Sequence, residues 1–67
     1  MDKRTVRGLE RRITRLYWEI CEARSDCARL TLSAAAYREF HQADKALAEA
    51  ESLIDLARQS VKWAREA

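Results

Sequence analysis

An all-α fold, two long helices folded back on each other as an antiparallel hairpin, is what this sequence predicts, and three observations predict it. The chain has no proline and one glycine, Gly8, so nothing punctuates it into strands and tight turns. Apolar residues recur at spacings of three and four along most of its length. The two series so formed are out of step where they meet, which places a turn between them.

The first helix rests on Val6, Leu9, Ile13, Leu16, Ile20, Ala23, Cys27 and Leu30, an unbroken 3.5-residue repeat that marks one continuous seam. It is expected over about residues 4–30. The second rests on Ala36, Phe40, Ala43, Leu47, Ala50, Ile54, Ala57, Val61 and Ala64, and is expected over about 34–65. In that series small and large residues alternate. Alanines repeated every seven let two backbones approach closely while the large residues fill the gaps, so an Alacoil-like antiparallel seam is expected. Between Leu30 and Ala36 the spacing is six, so the seams cannot share one face of one uninterrupted helix. A turn is expected at 31–33, with Ser33 as cap of the second helix and Leu32 and Tyr37 as a hydrophobic staple. The whole chain, 1–67, is then one helical-hairpin domain. A single kinked helix in a parallel dimer is the alternative, because the turn lacks glycine.

A chain of 67 residues buries only about 60 % of its unfolded surface and needs reinforcement. Disulfides do not supply it. Cys21 and Cys27 are six apart on one helix, where a rise of ~1.5 Å per residue separates them by ~9 Å, beyond the ~7 Å reach of a bridge. Unbridged thiols and the lack of a signal peptide point to a cytoplasmic setting. No stretch approaches the ~18 apolar residues of a membrane span, so no membrane partner is expected. With 36 % charged and 48 % apolar residues, the chain is too hydrophobic for a disordered tail.

Both helices carry more apolar surface than one seam uses. On the first, Tyr17, Trp18 and Cys21 widen the buried stripe, and Thr14, Trp18, Cys21, Ser25 and Ala28 make a second, weaker row. On the second, Ala46, Leu53, Leu56, Ser60, Trp63 and Ala67 make another. Homodimerisation into a four-helix bundle would cover part of it, with Leu53, Leu56, Ser60 and Trp63 as the dimer interface. Alternatively, a tryptophan anchors a foreign protein. Trp18 suits that role best, flanked by Arg11, Arg15 and Glu22.

Residues 1–15 hold six cations (Lys3, Arg4, Arg7, Arg11, Arg12, Arg15) against Asp2 and Glu10. With a turn near residue 32, this segment would lie beside Glu49, Glu51 and Asp55 and be partly neutralised. Arg7, Arg11 and Arg15 would stay free on one outward face, either solvated or available to phosphate. No zinc spacing, glycine-bearing turn between short helices or basic region feeding a zipper accompanies them.

Chemistry is not expected. His41 has Asp44 and Lys45 nearby but no nucleophile, and reads as a surface histidine. Cys27 reads as a small apolar filler. No carboxylate pair, phosphate-cradling loop or metal cluster is present, so neither enzyme activity, metal nor cofactor is expected.

The alternating small and large layers resemble those of the plasmid-encoded repressor-of-primer family, which implies hairpins that dimerise into a four-helix bundle and bind paired RNA loops. In length and architecture the chain is also similar to phage-encoded hairpin proteins that inhibit host regulators, including anti-activators of quorum-sensing transcription factors. The expected function is that of a small regulatory protein, homodimeric, which docks on a larger protein through Trp18, Tyr17, Arg11, Arg15 and Tyr37 and inhibits or redirects it. The alternatives are a nucleic-acid-binding regulator using Arg7, Arg11 and Arg15, and a purely structural assembly subunit.

Overall fold

A computed structural model describes residues 2–33 and 35–67, Ser33 by its backbone alone; among them are two helices and no strand. Helix α1 is Lys3–Ser33 and helix α2 is Tyr37–Glu66. They pack against each other as a hairpin 50 Å long and 15 by 11 Å across. Among the described residues no helix is long and apolar enough to cross a membrane.

Asp2 starts α1. Its carboxylate accepts the Arg4 backbone N–H at 2.9 Å and the Thr5 hydroxyl at 2.8 Å, and its carbonyl accepts the Val6 N–H at 3.1 Å. A capping carboxylate satisfies N–H groups that the first turn leaves without a helical acceptor. The Thr5 hydroxyl first, then the Arg4 N–H, hold that carboxyl below its ordinary value.

The turn lies later than the spacing predicts. Residues 31–33 are helical, and the turn residues Ala35 and Ala36 precede α2, which starts at Tyr37 and not near 34. Nothing in Leu30-Thr31-Leu32 breaks a helix, and the Thr31 hydroxyl, which donates to the Cys27 carbonyl at 2.7 Å, is satisfied inside one. The cap position of α2 is Ala36, with φ −94° and ψ 41° and no side-chain cap bond. The capping bond expected of the Ser33 side chain lies outside the described residues. The expected staple does not form. Leu32 is 89 % exposed, and Tyr37 stacks on His41, with ring centroids 5.8 Å apart.

The seam is also rotated from the one expected. Val6, Ile13, Ile20 and Cys27 on α1 and Phe40, Leu47, Ile54 and Val61 on α2 are the shared apolar rows at its centre. Beside them, Glu10, Tyr17, Arg24 and Thr31 are shielded, whereas Leu9, Leu16 and Leu30 are 41–46 % exposed. Residues three and four beyond a central position lie on opposite sides of it. The hairpin therefore closes on the i+4 row of α1 and leaves the leucine row at its margin. On α2 the same choice brings in Asp44, Glu51, Arg58 and Arg65. The alanines border the contact, Ala50 and Ala57 half-buried and Ala43 and Ala64 exposed.

Three cross-helix contacts fix the register: Glu10 with Arg65, Tyr17 with Arg58, and Arg24 with Glu51. Each step of seven along α1 is matched by seven back along α2. This register differs from the expected one because the turn is later. It moves Glu49, Glu51 and Asp55 toward the turn, away from the basic segment 1–15.

Little is buried. Only Val6 and Ile13, each 9 % exposed, count as core among the described residues, and α2 contributes none. The accessible surface is 5538 Å², whereas a compact monomer of this mass exposes about 4,400 Å².

Candidate binding surfaces

The seam has two unlike flanks. On the polar flank the Arg24 guanidinium bridges two carboxylates of α2, donating to Asp44 at 3.2 Å and to Glu51. The Cys21 thiol donates to the same Glu51 at 3.3 Å. Arg24 first, then Cys21, hold the Glu51 carboxyl below its ordinary value. Burial first, then the bond to Glu51, push the Cys21 thiol up, so it stays protonated and is a poor nucleophile. Nearer the open end, two and four turns along, Arg58 lies over the Tyr17 ring at 4.6 Å, and Glu10 accepts from Arg65 at 3.0 Å. This flank is closed by its own charges.

Leu9, Leu16, Ala23 and Leu30 run down the other flank of α1, facing the same way as Ala43, Ala50, Ala57 and Ala64 of α2. Leu53, 67 % exposed, adjoins the alanines. No ionic group of the polar ladder reaches across this flank.

The candidate residues fall in different places. Trp18, 59 % exposed, stands on the outer edge of α1 with Arg11 and Arg15, both exposed. Tyr17 belongs to the seam, held by Arg58, and meets the Trp18 ring edge-on with centroids 5.5 Å apart. Tyr37 is at the turn, far from both. The four candidate dimer residues are all exposed and lie within one face of α2, at different distances from α1. Leu53 borders the alanine row, and Ser60, whose hydroxyl donates to the Leu56 carbonyl at 3.0 Å, lies nearby. Leu56 and Trp63 are on the outer edge of α2, away from α1.

Arg7, Arg11 and Arg15 are exposed, as are Lys3, Arg4 and Arg12. Among the described residues none of the six is in an ion pair. The neutralisation expected from Glu49, Glu51 and Asp55 does not occur. Glu51 serves Arg24, and Asp55 serves Arg58 and Gln59 within its own helix. Both cysteines are free, and among the described residues no cluster of three His, Cys, Asp or Glu is placed to hold a metal.

No family model, curated protein or solved structure matches this chain.

Sequence reasoning missed the Arg24, Glu51 and Cys21 cluster and the Tyr17 and Arg58 contact. A signal was present: Glu10, Tyr17, Arg24 and Thr31 repeat every seven, as do Asp44, Glu51, Arg58 and Arg65, with charges that suit an antiparallel pairing. Polar residues in a heptad register are easily read as solvated, and here they form one flank of the contact.

Proposed function

We propose that this chain is a small non-enzymatic regulatory binding protein that docks on a larger protein through the outer edge of α1 and inhibits or redirects it. One observation carries the reading: a tryptophan that the hairpin does not need is held ready on its surface. Trp18 contributes nothing to the seam, yet its ring is steadied by Tyr17, which Arg58 fixes in turn. An aromatic side chain pre-positioned in this way loses little freedom on binding, and tryptophan and arginine are the residues most often found to dominate interface energetics. Arg11 and Arg15 flank it and supply polar contacts for an acidic or mixed rim. The free thiols of Cys21 and Cys27 suit a reducing, cytoplasmic setting.

A second reading, binding to a nucleic acid, is favoured by the six unpaired cations of residues 3–15. Salt and substitution separate the two. Copurification of the intact chain from a lysate should yield a protein partner that survives high salt and is lost with Trp18→Ala. If retention instead falls steeply as salt rises and depends on Arg7, Arg11 and Arg15, with nucleic acid in the eluate, the nucleic-acid reading replaces the first. Indifference to both sets of substitutions contradicts both readings.

A further inference from the structure

We propose that the flank carrying Leu9, Leu16 and Leu30 is covered by a second copy of this chain running the opposite way, so that the turn of each hairpin lies beside the open end of the other. The proposal concerns a different surface from the Trp18 edge and does not depend on what that edge binds.

The surface area of the hairpin suits a second copy. The chain exposes 5538 Å², about 1,100 Å² more than a compact monomer of its mass. That excess is of the size each partner contributes to a stable interface, about 800 Å². Leu9, Leu16 and Leu30 are 41–46 % exposed and Leu53 is 67 % exposed on the same side of the hairpin, with alanines between them. A second layer of helices packed on this side would complete two-layer packing around the apolar rows, and the alanines leave room for leucines from the other copy. The opposite flank is closed by Arg24, Glu51 and Asp44 and offers no comparable apolar surface.

Charge sets the direction. Divided across its long axis, the hairpin is strongly polar. Residues 2–17 with 53–67, the open half, hold nine Lys and Arg against four Asp and Glu, a net of plus five. Residues 18–52, the turn half, hold four against seven, a net of minus three. Two copies packed with their turns at the same end would place plus five beside plus five and minus three beside minus three. Reversing one copy puts each positive half beside a negative half. The helices of the two layers would lie about 10 Å apart, roughly one Debye length at 0.1 M salt, so the preference acts at ordinary ionic strength. A two-fold axis perpendicular to the helices makes the contact isologous, so it closes at two copies.

The test uses the intact chain. Sedimentation equilibrium should give a dimer, and Leu53→Glu should weaken it by about 100-fold or more, because each substitution enters the interface twice. Leu53 is mostly exposed in the single hairpin, so its replacement should leave helicity intact even if Leu16→Glu prevents folding. Trp63→Glu, on the outer edge of α2, should leave the dimer unchanged. For direction, a spin label at Arg38→Cys in a Cys21→Ser, Cys27→Ala background marks the turn end. Opposed copies predict a label separation approaching the 50 Å length of the hairpin; copies aligned the same way predict about 20–30 Å, two to three helix diameters. A monomer at all concentrations, a dimer broken by Trp63→Glu and not by Leu53→Glu, or a short label distance would each overturn the proposal.

Discussion

The two flanks of this hairpin use the same central rows and differ in everything else. On one side Arg24, Glu51, Tyr17, Arg58, Glu10 and Arg65 knit the helices together with charge and a ring face. On the other, leucines on α1 and alanines on α2 are left half-covered. Both flanks lie one helical step from Val6, Ile13, Ile20 and Cys27, so local sequence alone does not say which one the partner helix takes. Ionic groups settle it in a lone hairpin. Closing on the leucines would be worth more in buried area, but two helices cannot enclose a leucine row, whereas long charged side chains can span a two-helix groove and keep their heads in water. The difference between the flanks separates the contact that holds the hairpin together from the surface that is open to association.

The largest effect is expected at the rows both flanks share. Ile13→Ala should cost about 2–4 kcal/mol, and with so small a core this should leave the chain largely unfolded by circular dichroism at 25 °C. Full helicity and an unchanged denaturation midpoint would mean that Ile13 is not the centre of the contact. A smaller effect is expected on the polar flank. Arg24→Ala should lower the melting temperature by a few degrees and do so less at high salt, since half-exposed ion pairs are screened.

The same substitution sharpens the comparison through pH. Glu51 has its carboxyl lowered in the folded chain, chiefly by Arg24, so the stability it contributes is complete above the ordinary carboxylate range and is lost as pH falls through the lowered value. Acid titration of the intact chain should show that loss, and Arg24→Ala should flatten it. If both proteins lose stability in parallel, the bridge contributes nothing. The smallest effect is chemical. With its thiol pushed up by burial and by Glu51, Cys21 should alkylate more slowly than an unstructured thiol at pH 8, and Glu51→Gln should speed it. Equal rates would contradict the Cys21 and Glu51 contact.

The two helices and their antiparallel pairing were legible in the sequence, because a 3.5-residue repeat with no proline leaves few other choices. The turn was misplaced by about three residues. Ser33 looks like a cap and the seam spacing changes nearby, but a chain of helix formers without a breaker continues until packing stops it, which spacing does not report. The rotated seam followed from weighting apolar residues alone. The partners of Tyr17 and Arg24 emerge only when the acidic and basic row on the other helix is laid against them, a comparison that requires the register. The exposure of Trp18 and of the basic face was legible, since both lie far from either row. Which edge of the face carrying Leu53, Leu56 and Trp63 borders the alanines was not, because only the position of α1 decides it.

The open flank is the centre of this account, and the dependence of thermal unfolding on chain concentration tests it most directly. If the leucine row is covered by another copy, the midpoint should climb by several degrees as the intact chain is concentrated a hundredfold, and Leu53→Glu should abolish the climb. A midpoint that stays fixed over that range would show a hairpin stable by itself, with its apolar flank serving no association between copies.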